Sequence, residues 1–150
     1  MSAWRAAVSW RRALVALGIV AVVGASARGA AQTTVWDGVY TEAQAKRGEA
    51  AYLKDCASCH KEHLLGDDDY ANPLIGPVFL AKWNNKSVAD LYEKNKTTMP
   101  ANNPNSLDPR EYLDITAYLL STSEFPAGRN ELPADLAQLK LITLRGTRPK

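Results

Sequence analysis

Two cysteines and a histidine fall within five consecutive positions of this 150-residue chain, in the segment Cys56-Ala-Ser-Cys59-His60. Residues at positions i, i+3 and i+4 share one face of a helix, so both thiols and the imidazole can face one flat object. The C-x-x-C-H pattern is typical of covalent haem c attachment. It predicts that Cys56 and Cys59 form thioethers with the haem vinyl groups and that His60 binds the iron from one side.

The first 31 residues have the pattern of a secretory signal peptide. They contain four arginines and no acidic residue, and every residue in the stretch 13–25 is small or aliphatic. This apolar run is shorter than the roughly 20 residues that span a bilayer, and small residues follow it. We therefore expect residues 1–31 to be removed by cleavage after Ala31, with Ala27 as the other position for the cut. A retained N-terminal membrane anchor is the alternative, and only then would the protein be held at a membrane.

Charge and cysteine content exclude several function classes. Residues 1–31 hold four of the 18 basic residues and none of the 16 acidic ones, so residues 32–150 carry 14 basic against 16 acidic residues, a net charge of −2. Because no basic stripe is left to neutralise phosphates, nucleic acid is not expected as a partner. In an exported chain the two cysteines enter an oxidising compartment, where a disulfide, a thiol-exchange site or a thiol-linked cofactor can form. Zinc is a further alternative, but it needs four ligands and the chain has no second C-x-x-C pair.

The second axial ligand can be sought among very few residues. Cleavage after Ala31 removes Met1 and leaves Met99 as the only methionine. Pro100 has a fixed φ and no N–H, so the chain around Met99 is expected to be extended rather than helical. A thioether ligand raises the reduction potential of a haem iron, which suits an electron carrier. His63 is the competing ligand, but it follows His60 by three residues on roughly the same face and cannot easily reach the other side of a haem.

Three helix starts are marked by capping residues. Thr41 and Ser87 each stand three positions before an amide or acidic side chain, which is the pattern of a capping box, and Asp108 is an N-cap residue followed by Pro109 at the first helical position. The helices are expected at 41–56, 87–96 and 108–121, separated by long irregular stretches at 64–86 and 97–107. Gly48 costs its helix roughly 1 kcal/mol relative to Ala, which suggests a close crossing by another element.

These elements predict an all-α protein, because few alternating β patterns appear along the chain. We expect one domain at residues 32–123, after the cleaved segment 1–31. Residues 124–150 are expected to form a C-terminal extension that packs on the domain or trails from it, with a weak helical stretch at 135–140.

Residues 41–122 resemble a class I monohaem cytochrome c. The resemblance rests on the capped first helix with Gly48 and Tyr52, the Cys56–His60 motif, the pair Pro73-Leu74, the pair Met99-Pro100, and a last helix with Ile115 and Tyr118. It implies a small cytochrome c fold in which three or more short helices and long irregular loops wrap around one covalently bound haem c. It also implies that the helix carrying Gly48 crosses the last helix of the domain.

The resemblance implies two further residues at the haem. The carbonyl of Pro73 would accept the Nδ1–H of His60 and so fix the orientation of the imidazole ring. Trp83 would either donate its indole N–H to a haem propionate or be an ordinary core residue.

The function implied is one-electron transfer rather than enzyme catalysis. The iron would cycle between Fe(III) and Fe(II) in the bacterial periplasm, receiving electrons from a dehydrogenase, passing them to a terminal oxidase, or both. Residues 35–40 and 79–83 resemble cytochrome domains found with quinoprotein dehydrogenases. The alternative is therefore the electron-accepting subunit of such a dehydrogenase complex. A haem enzyme in which Met99 dissociates is a third reading, although no distal His or Arg is evident in the sequence.

Overall fold

The computed structural model describes residues 33–67 and 71–149, and the predicted signal peptide at 1–31 lies outside them. Within the described residues the chain forms six α-helices and no β-strand, which confirms the predicted all-α fold. After a single 3₁₀ turn at Val35–Asp37, the helices are α1 Glu42–Asp55, α2 Ala57–His60, α3 Gly76–Trp83, α4 Val88–Thr98, α5 Pro109–Thr122 and α6 Leu136–Lys140. None of the helices in this part of the chain is long and apolar enough to cross a membrane.

The three predicted helix starts are confirmed by their capping hydrogen bonds. Ser87 and Asp108 each form the full reciprocal capping box at the starts of α4 and α5. At the start of α1 the Thr41 hydroxyl accepts from the backbone N–H of Gln44 at 3.1 Å. The predicted box is only half formed there, because the buried Gln44 side chain accepts a hydrogen bond from the backbone N–H of Leu132 at 2.8 Å instead.

The prediction that residues 64–86 are irregular is wrong, because they contain α3. Pro77 lies in its first turn, where the missing N–H is harmless. Phe79 and Trp83, four residues apart, are both buried and fix the inner face of the helix. The N-cap residue, Ile75, makes no side-chain capping hydrogen bond. The sequence therefore lacks the polar signal that marks the other helix starts.

Helices α1 and α5 cross at the position of Gly48. A Cβ atom built on Gly48 would lie 1.8 Å from the carbonyl oxygen of Asp114, so only glycine allows this approach of the two backbones. Nearby, the rings of Tyr52 and Tyr118 pack with their centroids 5.3 Å apart. The predicted close crossing by the last helix of the domain is confirmed.

Residues 124–144 pack into the same hydrophobic core as the helices. Their buried apolar side chains are Phe125, Leu132, Leu139, Ile142 and Leu144. Thr143 N donates to the Thr33 carbonyl at 2.9 Å, and Val88 N donates to the Ile142 carbonyl at 2.9 Å. The C-terminal segment thereby links the N-terminal segment to the start of α4. The boundary at residue 123 stays a prediction.

Candidate haem-binding site

The C-x-x-C-H segment lies at the junction of α1 and α2. Cys56 separates the two helices, and the backbone N–H groups of Cys59 and His60 both donate to its carbonyl, at 3.2 and 3.0 Å. The Tyr52 hydroxyl donates to the carbonyl of Lys61 at 2.6 Å, which holds the end of the motif against α1. Cys56 is half-buried, Cys59 is exposed, and both thiols are free.

A cavity of about 740 Å³ opens beside this motif. Cys56, Cys59 and His60 line it, and so does Met99. Its apolar wall is built from α1, the loop before α3, and α3, α4 and α5, by Tyr52, Leu74, Phe79, Trp83, Leu91, Tyr112, Ile115 and Leu119. The fold thus brings the four residues predicted to hold the haem to one mostly apolar space.

His60 is oriented by a backbone carbonyl, but that carbonyl is not the one predicted. Nδ1 of His60 lies 3.2 Å from the carbonyl oxygen of Asn72, one residue before Pro73. A proline restricts the residue before it to extended conformations, so the peptide group between Asn72 and Pro73 is held rigidly. Pro73 itself lines the cavity. The prediction that the Pro73 carbonyl serves as acceptor is therefore corrected to Asn72.

This hydrogen bond decides which nitrogen of His60 can bind a metal. A carbonyl oxygen can only accept, so Nδ1 carries the proton and Nε2 keeps its lone pair. Burial lowers the pKa of His60, which favours the neutral ring, and the hydrogen bond to Asn72 offsets part of this effect. A neutral imidazole with a free Nε2 is the form that ligates haem iron.

Met99 is placed by the end of α4. The helix continues to Thr98, two residues past the predicted end, and Met99 N donates to the Asn95 carbonyl at 2.9 Å. Met99 itself is extended, with φ −127° and ψ 151°, as predicted for the residue before Pro100. Its carbonyl accepts a hydrogen bond from the Tyr112 hydroxyl at 2.7 Å.

His63, the competing ligand, is exposed and is not among the cavity-lining residues. Its Nδ1 accepts from the backbone N–H of Leu65 at 3.3 Å. The structure therefore gives His63 a role in the local loop geometry and does not place it in the cavity wall.

Trp83 has features of both of its predicted roles. It belongs to the core, is 6% exposed and packs against Phe79 with the ring centroids 6.3 Å apart. It also lines the cavity. The amino groups of Lys82 and Lys86 lie 5.7 and 5.2 Å from the centroid of its ring, which places positive charge at this side of the site.

Two described residues of the cavity wall have a buried side-chain atom without a hydrogen-bond partner, Asp55, whose oxygen is ion-paired with Lys54 at 3.4 Å, and Asn95; neither was predicted from the sequence. The side-chain nitrogen of Asn95 is buried and has no hydrogen-bond partner within the described part of the chain. An unpaired buried donor is costly. Two free thiols, a neutral imidazole and a thioether around an apolar space fit a haem. The spacing of Asn95 four residues before Met99 was the available signal in the sequence.

A protein-family model matches the central part of this chain. The family described as Cytochrome C oxidase, cbb3-type, subunit III matches residues 43–119, which is just over half of the chain. No curated protein and no solved structure matches it. The matched residues include the C-x-x-C-H motif and Met99, and they support a covalently bound haem c and an electron-transfer role. The chain thus belongs to the cbb3-type cytochrome c oxidase subunit III family of cytochrome c domains and has the fold of a class I monohaem cytochrome c.

Proposed function

We propose that this protein is an exported one-electron carrier in which Cys56 and Cys59 attach one haem c and His60 and Met99 bind its iron from opposite sides. The observation that carries the proposal is the single cavity that all four side chains line. Its apolar wall excludes water, which raises the reduction potential of an enclosed iron.

The two thiols would attach the cofactor without oxidation or reduction. Each thiol adds its sulfur to one carbon of a vinyl group and its hydrogen to the other, so no atom leaves. Burial, reinforced by the charges of Asp55 and Cys59, raises the pKa of the Cys56 thiol to about 11. Thiol–disulfide exchange needs a thiolate, so this raised pKa disfavours Cys56 as the attacking thiol of an exchange reaction.

His60 and Met99 would leave no iron position open. When bound, the haem supplies an iron that accepts one electron from a donor and releases it to an acceptor. His60 keeps its ring in place through Asn72, and Met99 offers a soft sulfur that favours Fe(II) over Fe(III). Because both residues would hold the iron, electron transfer is favoured over a peroxide-using haem enzyme.

The rim of the cavity favours an acidic partner surface. Lys82 and Lys94 are exposed and line the cavity, as does Lys54, which pairs with Asp55 at 3.4 Å. Lysines around an exposed cofactor edge steer an acidic partner into contact, and redox encounters of this kind use small interfaces. Since the family name is that of an oxidase subunit, we propose a terminal oxidase as the acceptor. A dehydrogenase is the proposed donor. The alternative is that this chain is a permanent, electron-accepting subunit of the dehydrogenase complex, which the resemblance of residues 35–40 and 79–83 supports.

The proposed location is the bacterial periplasm. It is supported by the signal-peptide pattern of residues 1–31, with four arginines, no acidic residue and an apolar run at 13–25. The test is fractionation of the native protein with determination of its N-terminus. A chain starting at Gln32 or Arg28 is expected, and a chain still carrying Met1 in the membrane fraction would contradict it.

Haem attachment is tested by producing the full chain in a host that carries a haem c attachment system. The intact mass is expected to exceed that of the polypeptide by one haem, and the colour should survive denaturation in acid. Exchange of both Cys56 and Cys59 for Ser should give a colourless protein of polypeptide mass. Ala57→Ser is the matched control, because it adds a hydroxyl to the same segment and leaves both thiols in place. A wild-type protein with two free or bridged thiols and no haem would overturn the proposal.

The rim charges are tested with ferricyanide, a small anionic oxidant. Lys94→Glu should slow oxidation of the ferrous protein at low ionic strength, and the difference should fade as salt is added. Lys46→Glu makes the same change in net charge on the exposed face of α1, away from the haem cavity. Equal rates for the two variants would contradict a steering role for the rim.

A further inference from the structure

We propose that Tyr112 is a positioning residue that keeps Met99 at the iron by anchoring the chain segment 99–107 to α5. The inference rests on the proposed function, because it requires Met99 to be an axial ligand. It adds a residue outside the ligand set whose hydroxyl controls how readily the sulfur leaves the metal.

The Tyr112 hydroxyl makes contacts at both ends of this segment. It donates to the Met99 carbonyl at 2.7 Å and accepts from the backbone N–H of Leu107 at 3.4 Å. The side chain is 1% exposed, and its ring forms part of the cavity wall. One hydroxyl thus closes the segment into a loop and ties the loop to the first turns of α5.

Besides the Tyr112 hydroxyl, the two ends of the segment are held by the Met99 N–H, which donates to the Asn95 carbonyl at 2.9 Å, and by Leu107, which packs against the core. Residues 101–106 are all exposed. The backbone hydrogen bond from Asn103 N to the Pro100 carbonyl, at 2.9 Å, lies within the segment itself. Exposed segments with few buried contacts open locally at low free-energy cost. Met99 stands at the junction of this segment with α4, so opening of the segment would pull its sulfur away from the cavity.

Helix α5 is a rigid base for such an anchor. It is packed backbone to backbone against α1 at Gly48 and Asp114, and α1 leads directly into the C-x-x-C-H motif. The Tyr112 contact therefore connects the two sides of the site, because His60 is placed from α1 and Met99 is held from α5. The sulfur and the imidazole are kept at a fixed separation through one helix pair.

The test is a titration of the ferric holoprotein with imidazole, which competes with Met99 for the iron and abolishes the Met–iron charge-transfer band. Tyr112→Phe keeps the ring and removes only the hydroxyl. It should tighten imidazole binding about fivefold, the equivalent of one ordinary hydrogen bond. Tyr118→Phe is the matched control, since it removes a hydroxyl from the same helix outside the cavity wall, and its imidazole affinity should stay within twofold of wild type.

The outcomes separate this inference from the function on which it rests. A wild-type protein without the charge-transfer band would overturn both. If the wild-type band is present and Met99→Ala abolishes it, Met99 is the ligand. Unchanged imidazole affinity in Tyr112→Phe would then overturn the positioning role alone.

A measurement on the wild-type protein covers the case in which Tyr112→Phe does not fold. Carbon monoxide competes with methionine for ferrous haem iron. In the ferrous protein the Tyr112 hydroxyl proton should be protected from exchange with water, and binding of carbon monoxide should abolish that protection. Persistence of the protected proton after Met99 has been displaced would contradict the anchor.

Discussion

Gly48 of α1 and Asp114 of α5 approach so closely that the carbonyl oxygen of Asp114 occupies the space where a Cβ of residue 48 would stand, 1.8 Å from its ideal position. The obstacle is backbone rather than a flexible side chain, so it cannot yield without moving a helix. The crossing sets the relation between the two helices on which His60 and Tyr112 depend.

Gly48→Ala should therefore destabilise the protein despite the better helix propensity of alanine. The propensity gain is about 1 kcal/mol, whereas overpacking against a fixed backbone costs about 3 kcal/mol, so a net loss of about 2 kcal/mol is expected. Denaturant unfolding of the holoprotein measures it. Gly146→Ala is the control, because a Cβ there would meet only ordinary contacts at 3.8 Å or more. Similar stability of the two variants would contradict the close crossing.

Gln44 holds the C-terminal segment to α1 through a buried hydrogen bond. Its side-chain oxygen accepts from the Leu132 N–H at 2.8 Å, and the residue is 1% exposed. Gln44→Met keeps a similar shape but leaves that N–H buried and unpaired, which should cost about 2 kcal/mol of unfolding free energy.

Gln138→Met, on the exposed face of α6, makes the same chemical change away from the core and should cost little. If residues 124–144 were a loose extension, Gln44→Met would lower the unfolding free energy no more than Gln138→Met does.

Asp90 gives the stability of α4 a defined pH dependence. The backbone N–H and the hydroxyl of Ser87 both donate to its carboxylate at 2.8 Å, and these two bonds lower the pKa of Asp90. A lowered folded-state pKa means that the carboxylate stabilises the fold above the ordinary Asp pKa and loses this effect as the pH falls through the lowered value.

Asp90→Asn should therefore reduce stability at pH 7 by about 0.5 kcal/mol, a small figure because the group is exposed. The difference from wild type should shrink toward zero below pH 4, and unfolding curves at pH 7 and pH 3 measure it. Glu62→Gln, an exposed carboxylate outside the helices, is the control. A difference that grows on acidification would contradict the assigned sign.

Replacing Met99 and replacing His63 should have different effects on the haem spectrum. Met99→Ala should abolish the Met–iron charge-transfer band and lower the reduction potential, since a sulfur ligand raises it. His63→Ala should change neither, because His63 is exposed and outside the cavity wall. Optical spectra and redox titrations of the two holoproteins decide between the ligands. Loss of low-spin character in His63→Ala, with Met99→Ala unaffected, would show that the histidine is the ligand.

The features predicted correctly from the sequence have local causes. The starts of α1, α4 and α5 are encoded by Thr41, Ser87 and Asp108, whose side chains bond to backbone groups two or three residues away. Gly48 was informative for a similar reason, because a glycine inside a strong helix pattern needs a partner that approaches closely. The C-x-x-C-H motif carries its own geometry within one helical turn.

The features that were missed depend on tertiary structure. Helix α3 has Ile75 at its N-cap position and no polar capping signal, and it is fixed by the burial of Phe79 and Trp83. The carbonyl that accepts the hydrogen bond from His60 is that of Asn72, because the path of the loop before α3 decides which carbonyl faces the ring. The contact of Tyr112 with Met99 joins two elements across an exposed segment, and no short-range pattern encodes it.

The most direct measurement of the central claim is the proton NMR spectrum of the ferrous holoprotein. A methionine methyl group bound over the face of a porphyrin lies in its ring current, so its three-proton signal should be shifted far upfield. The account predicts one such signal in wild type, its absence in Met99→Ala and its retention in His63→Ala. A wild-type spectrum in which the Met99 methyl resonates at the ordinary position of a free thioether would contradict the account.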